Sequence, residues 1–352
     1  MELDLSVVDL AQRFLEREDQ WASLAARLRF NSGKIQYSEA LESDLIYPVP
    51  PRTPDGTFAA VDGGLGTQEF HGLDLLVLRA LAVQFKYDHG KLVSHAYYPS
   101  SRPHLQVQAR SGLDAFELTR FTSLHRLRAE LSAAYGALEK WKPSYLLLDG
   151  SLAPLVSDKP PDDSDLLELY TNVVQLYQKL YAGASAQGCN LVGVTKDSRG
   201  RRFMDLISRA VPESAPALAN ASDTAFLDHL LKEGERTFAF RYSVQPAKNP
   251  VLQDLGEWAG RILTFYLKPV AGDRPLRIEF LSTVSPFADI ASVMAGLSAL
   301  HPHYAYPAIL IEADLRAALE TTEVEHVVHD LSARVGRKRP LMPLRRDSRP
   351  FR

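Results

Sequence analysis

Apolar residues recur along the 352-residue chain at two alternating periods, and their succession lays out its elements. Leu5, Val8, Leu10, Leu15, Trp21, Leu24 and Leu28 keep helical spacing, which predicts one or two helices over residues 5–30. Residues 43–56 contain Pro48, Pro50, Pro51 and Pro54 and read as an extended connector. Phe58, Ala59, Ala60 and Val61 then form an apolar run of buried-strand type that ends at Asp62. Gly63, Gly64 and Gly66 follow; their lack of side chains predicts a tight turn, which presents Asp62 at a strand end. Residues 69–85 and 91–99 are rich in β-formers and are separated by Asp88, His89 and Gly90, as in a hairpin. The expectation is three consecutive strands, antiparallel neighbours.

Residues 113–140 form a long amphipathic helix with Leu113, Phe116, Leu124, Leu127, Leu131 and Leu138 on its apolar side, and it carries Glu117, Glu130 and Glu139. Tyr145 to Ser151 repeats the earlier arrangement: Leu146, Leu147 and Leu148 deliver Asp149 into a glycine turn. A helix over 164–187 and a buried strand over 190–195 follow, which implies a parallel segment with a right-handed crossover. Beyond a basic turn, Lys196 to Arg202, the pattern predicts helices at 203–211 and 223–233 and strands at 236–244, 261–268 and 276–283, with Lys248, Asn249 and Pro250 in a connecting loop. Helices at 286–299, 308–319 and 323–335 close the chain, and no internal repeat is present.

Three antiparallel strands, a helix, a strand, a helix and a strand form the element order of the ribonuclease H-like fold. The fold class is therefore α/β, a ribonuclease H-like mixed sheet flanked by helices, with added N-terminal helices and C-terminal strands and helices. It divides as an N-terminal helical segment and connector (1–56), the ribonuclease H-like domain with insertions (57–335) and a basic tail (336–352).

Composition narrows the chemistry. A hydrophobic fraction of 45% and a charged fraction of 24% are ordinary for a globular protein. No segment reaches the ~20 uncharged apolar residues of a membrane helix. The start, MELDLSVVDLAQRF, is acidic and amphipathic and does not resemble a signal peptide, so the expected compartment is the cytoplasm. The single Cys189 and the absence of a Cys/His pattern with zinc spacing leave oxygen ligands for any metal, with a histidine at most. The net charge of −3 hides a tail in which Arg337, Lys338, Arg339, Arg345, Arg346, Arg349 and Arg352 face Asp347 alone. That tail suits a phosphate as well as it suits a solvated or partner-docking terminus.

In a ribonuclease H-like fold, acidic residues of the first strand, the first helix and the fourth strand converge. Asp62, a glutamate of the 113–140 helix and Asp149 occupy those places. Phosphodiester cleavage needs an activated water and relief of charge on the leaving oxygen, which two divalent ions ~3.5–4 Å apart supply. Hard ions such as Mg²⁺ and Mn²⁺ take carboxylate oxygens, and carboxylates so gathered repel one another without them. Lys196 and Arg199 fit a phosphate-contacting loop, and a surface ion-pair loop equally well. Each residue also has a plainer role: Asp62 capping its own turn, a glutamate on a solvated helix face, Tyr306 in a core, Asp314 complementing a helix dipole.

The run FAAVDGG, then LLLDGSL, then LVGVTKDSR, then YPAILIEADLRAAL, from Phe58 to Leu319, resembles the NurA nuclease family. The resemblance implies a divalent-metal-dependent DNA nuclease with 5′-to-3′ exonuclease and single-strand endonuclease activity, and two Mn²⁺ or Mg²⁺ ions. It also implies a homodimer that works with a hexameric HerA-type translocase in resecting the ends of double-strand breaks. Asp62 and Asp149 match the family's two strand-end metal ligands, Glu130 best matches its helical glutamate and Tyr306 a tyrosine of its last motif. Asp314 stands where a metal-binding histidine is expected, with His301 and His303 nearby. Two other readings stay open. DGGLGT also resembles the first phosphate loop of actin- and sugar-kinase-like ATPases, and the acidic cluster suits a non-catalytic dimeric adaptor of a DNA motor.

Overall fold

Ser6 starts the first helix by a reciprocal cap with Asp9, and a single helix follows where one or two were expected. The computed structural model describes residues 6–282, 284–336, 341, 342, 344 and 345; Leu5 and the tail residues Arg337, Lys338, Arg339, Arg346, Asp347, Arg349 and Arg352 lie outside the described residues. In chain order the first elements are α1 (Val7–Phe30), β1 (Ile46–Pro48), β2 (Gly56–Phe70), β3 (Leu73–Asp88), β4 (Lys91–Tyr98), β5 (Gln106–Arg110), α2 (Ala115–Trp141), β6 (Tyr145–Asp149) and α3 (Leu167–Gln187). Then come β7 (Asn190–Thr195), α4 (Arg202–Ala210), α5 (Ala215–Leu218), α6 (Asp223–Leu230), β8 (Glu235–Thr237), β9 (Phe240–Arg241) and α7 (Pro250–Asp254). The last are β10 (Ile262–Lys268), β11 (Leu276–Leu281), α8 (Phe287–Ser298), α9 (Ala308–Ala317) and α10 (Thr321–Val335).

The chain forms two compact units, each assembled from separate segments: Met1–Pro54, Val192–Pro246 and Ala259–Ala308 make one, and Asp55–Leu191, Ala247–Trp258 and Ile309–Arg352 the other. In the second unit β2 and β3 pair antiparallel over their whole length, from Gly56 opposite Tyr87 to Phe70 opposite Leu73. β4 pairs with the C-terminal half of β3 and β5 with its N-terminal half. β6 runs parallel to β2, with Phe58 opposite Tyr145 and Val61 opposite Leu148. Three antiparallel strands, a helix and a fourth strand parallel to the first make this the ribonuclease H-like arrangement. α2 and α3 pack together, and α2 lies on β2 and β3.

The glycine run is not a turn. β2 continues through Gly63, Gly64 and Gly66 for eight residues past Asp62, and the chain reverses at Gly72, whose φ is +98°. The reason lies in the neighbours: β3 is buried from Leu75 to Val83 and needs a strand along all of it, while the glycines make room for what crosses β2. A Cβ at Gly64 would collide with the Ala317 carbonyl at the end of α9, and one at Gly66 would stand 2.7 Å from Val324 of α10. This removes the phosphate-loop reading of DGGLGT, since the segment is extended strand paired with β3 throughout and not a loop that wraps its amides around an anion.

In the first unit the strands run in the order β1, β8, β10, β11, β7, all antiparallel. The strand expected over 236–244 is broken into β8 and β9, and β1 lies inside the expected connector. Trp21, Leu24 and Leu28 of α1 join Phe203, Phe226, Phe238, Phe240 and Tyr266 in one core. The preceding turns of α1 leave Val7, Val8, Leu10 and Leu15 exposed. Among the described residues no helix is long and apolar enough to cross a membrane.

Candidate metal centre

Strand register brings the first two carboxylates together. With Val61 opposite Leu148, Asp62 and Asp149 stand at the next rung of the parallel pair, where β6 ends and Gly150 turns away at φ +122°. Asp62 is 7% exposed, and its Oδ1 accepts a 2.7 Å bond from the Gly63 amide. Asp149 is half-buried. Asp314, exposed on α9, brings its carboxylate into hydrogen-bond reach of Asp62.

Glu130 enters from α2. A Cβ at Gly63 would lie 2.7 Å from its Oε1 and 2.8 Å from its Cγ, so the missing side chain at 63 is the cleft that receives it. The carboxylate is 12% exposed, and Oε1 is buried with no hydrogen-bond partner. The Nε of Arg126, one turn earlier, stands 3.7 Å away.

These environments set the charge states. Burial pushes the Glu130 carboxyl up to about 8; Arg126 opposes the shift, and Asp62 and Asp149 add to it. Burial also raises Asp62, reinforced by the charges of Asp149 and Asp314 and opposed by the Gly63 amide. Carboxylates gathered in this way repel one another, and among the described residues the Glu130 Oε1 has no hydrogen-bond donor. The donor set is all oxygen and fits a hard divalent ion.

The structure separates the three glutamates of α2. Glu117 accepts the Asp114 amide at 2.9 Å in the capping box that starts the helix, and Glu139 accepts from the Gln187 amide side chain at 2.7 Å. Lys196, Arg199 and Tyr306 belong to the other compact unit, as do His301 and His303. There the Lys196 Nζ stands 4.2 Å over the Tyr306 ring. Tyr306 is 1% exposed and donates its O–H to the Val194 carbonyl at 3.4 Å, whereas Arg199 is exposed. The His303 amide donates to the His301 ring at 3.1 Å.

Sequence reasoning passed over Arg126. Its signal was the i,i+4 spacing to Glu130, which is common to any helical ion pair. It also passed over Asp55, Asp88 and His89, whose ligand atoms lie within 4.8 Å of one another on an exposed hairpin end. All three residues are exposed, and the Asp55 carboxylate already accepts the His89 amide at 3.2 Å.

No curated protein matches the chain in sequence. Among solved structures, the NurA nuclease from Sulfolobus solfataricus is similar at TM-score 0.58 and 17% identity, over 94% of this chain and 98% of that one. A NurA structure with manganese is similar at TM-score 0.57 and 12% identity, over 94% and 99%. One bound to dAMP and manganese is similar at 0.56 and 13%, over 94% and 97%. At such identities the likeness establishes the fold. A family model of the NurA domain goes further, matching residues 56–319, a span that encloses β2, α2, β6, α9 and the four carboxylates they carry. By that match the chain belongs to the NurA family of nucleases.

Proposed function

We propose that this metal-dependent nuclease hydrolyses the phosphodiester bonds of DNA, with two Mn²⁺ or Mg²⁺ ions held by Asp62, Glu130, Asp149 and Asp314. The observation that carries the reading is the Glu130 carboxylate, lodged in the Gly63 cleft with a buried oxygen that has no hydrogen-bond partner among the described residues. Structures of similar NurA proteins with manganese, one of them also with dAMP, support it. Divalent ions bound there supply an activated water and relief of charge on the leaving oxygen.

The residues of the chain do the rest. Asp62 and Asp149 hold two carboxylates at the spacing of neighbouring strands, and the Gly63 cleft fixes the third. Asp314 in place of an imidazole adds negative charge and favours Mg²⁺ or Mn²⁺ over softer ions. Arg126 balances the charge of Glu130, and with a cation held by the carboxylates its guanidinium would be available to a phosphate. Lys196, held on the Tyr306 ring, and Arg199 contact the DNA backbone. Contacts to phosphates carry no sequence information, so cleavage is sequence-tolerant and weakens with salt.

The same reading includes 5′-to-3′ exonuclease and single-strand endonuclease activity, a cytoplasmic homodimer, and work with a hexameric HerA-type translocase in resecting DNA ends. Family membership supports these finer points. The test of the centre is degradation of linear DNA in Mn²⁺ by the parent chain and by Asp62→Ala and Asp149→Ala, with folding followed by circular dichroism. Folded variants without activity are expected; variants that cut as well as the parent would rule the site out. Co-sedimentation with a purified HerA-type hexamer tests the partnership.

A further inference from the structure

A second group of charges lies in the same compact unit as the four carboxylates. A cavity of about 290 Å³ opens beside the end of α9, lined by Arg79, Ser101, Arg102, Leu315, Arg316, Ala318 and Glu320. Three of these seven residues are arginines, in a chain whose net charge is −3. Such a concentration of planar, permanently charged donors matches phosphate oxygens better than any neutral ligand.

The three arginines differ in depth. Arg79, opposite Gly64 in the β2–β3 pair, is 3% exposed. One of its terminal nitrogens pairs with Glu323 and the other reaches the Ala318 carbonyl at 3.4 Å, while its Nε is buried with no partner. It fixes the wall of the cavity by tying the turn after α9 to β3. Arg102 and Arg316 stand at the rim, 59% and 48% exposed. Arg102 reaches Glu323 at 3.0 Å and Glu320 at 3.6 Å. Arg316 donates to Glu312 at 2.8 Å with its guanidinium 5.4 Å from the Tyr97 ring. Rim pairs in contact with water are weak, so an anion that offers two oxygens to each fork displaces them.

Size and position narrow the occupant. The volume falls just below the ~300–1,000 Å³ of small-molecule pockets, enough for a phosphate and its sugar. Leu315, 67% exposed, gives the sugar an apolar wall. Arg79, which lines the cavity, stands opposite Gly64, two residues along β2 from Asp62 and on the same face of the sheet, about 7 Å away along the strand, so the cavity lies near the metal centre.

We propose that this cavity is a phosphate subsite, in which Arg102 and Arg316 grip an internal backbone phosphate of the DNA strand next to the one that is cut. The assignment rests on the nuclease reading above. A terminal phosphate at a DNA end offers the same chemistry, and the experiment separates the two.

Binding is measured with the full chain carrying Asp62→Asn, in Mn²⁺ and across a salt series. The probes are a fluorescent oligothymidylate with a 5′-hydroxyl, the same strand with a 5′-phosphate, and a circular single strand. Adding Arg102→Gln and Arg316→Gln together is expected to weaken all three about tenfold or more. It should also flatten the slope of log K against log salt by about 1.4, since each contact to a single strand contributes about 0.7. Lysine at both positions restores the slope but only part of the affinity. Mn²⁺ binding by the double glutamine variant with Asp62 intact, read by calorimetry without DNA, matches the parent. Weakening confined to the 5′-phosphorylated strand overturns the internal assignment in favour of a terminal phosphate. Unchanged affinity and slope overturn the subsite, and so does a loss of Mn²⁺ affinity that accounts for the weakening. A parent chain unable to cut DNA refutes the nuclease reading, while the binding series still decides whether the cavity holds a phosphate.

Discussion

Gly63 and Glu130 form a matched pair: the place where a Cβ at 63 would sit lies 2.7 Å from Glu130 Oε1, so the helix glutamate occupies the volume of a side chain that the strand lacks. Gly63→Ala therefore forces Glu130 out of register with Asp62 and Asp149. Overpacking of this kind costs about 1–3 kcal/mol. The larger effect is on the site, with Mn²⁺ affinity falling roughly 10–100-fold, as for other residues that orient metal ligands. Calorimetric titration with Mn²⁺ checks it, and unaltered affinity would show that Glu130 is not held by this cleft.

A second prediction concerns pH. Glu130 titrates at about 8 in the folded chain and Asp62 is also raised, against ordinary values near 4, so between those limits the folded state binds more protons than the unfolded one. Stability of the metal-free protein is therefore greatest at the acidic end of that window and is lost as pH rises through it. Glu130→Gln removes part of the loss and raises stability at pH 8 without metal by on the order of 2 kcal/mol. In the parent, Mn²⁺ reverses the decline; in the variant it has little effect. Melting temperatures from pH 5.5 to 8.5, in EDTA and in Mn²⁺, test both statements, and parallel EDTA curves for the two proteins would contradict the first.

What was legible in the chain was local. Phe58 to Val61 and Leu146 to Leu148 announce buried strands, so Asp62 and Asp149 stood out at their ends, and the element order carried the fold class. The glycines were misread because freedom at φ and absence of a Cβ are different uses of one residue, and the second depends on Ala317 and Val324, more than 250 residues away. Glu117, Glu130 and Glu139 lie on one helix with similar neighbours; only the face laid on β2 selects Glu130. β5 escaped notice because it is five residues long with none of them buried, so its alternating Val107 and Ala109 face no core.

Arg126 yields a third prediction. It is the favourable charge beside Glu130 and lowers the tendency of that carboxyl to hold a proton. Arg126→Gln lets the pKa of Glu130 climb further, so the pH at which Mn²⁺ binding is half-complete moves up, by roughly half a unit to one unit. Arg126→Lys keeps most of the midpoint. If Arg126 also meets the phosphate, both variants lose turnover by about 10-fold or more, the lysine less. Metal titrations at several pH values separate the two roles, and an unmoved midpoint in the glutamine variant would show that the 3.7 Å pair has no electrostatic weight.

The last prediction concerns Tyr306, which the sequence singled out and the structure buries. Its ring is the platform for Lys196 at 4.2 Å, and its hydroxyl donates to the Val194 carbonyl at 3.4 Å. Tyr306→Phe keeps the platform and loses the hydrogen bonding of a buried hydroxyl, so stability falls by about 1 kcal/mol while DNA binding stays near the parent value. Tyr306→Leu removes the π face; it leaves a partly filled core, which costs roughly 2–4 kcal/mol, and the ammonium loses its cation–π contact. Affinity for single-stranded DNA then falls a few-fold, with the salt slope retained because Lys196 keeps its charge. Fluorescence anisotropy over a salt series, at a temperature where all three proteins are folded, distinguishes the cases. Equal affinities for the phenylalanine and leucine variants would mean that the ring serves the core alone and that the place of Lys196 is set by its own turn.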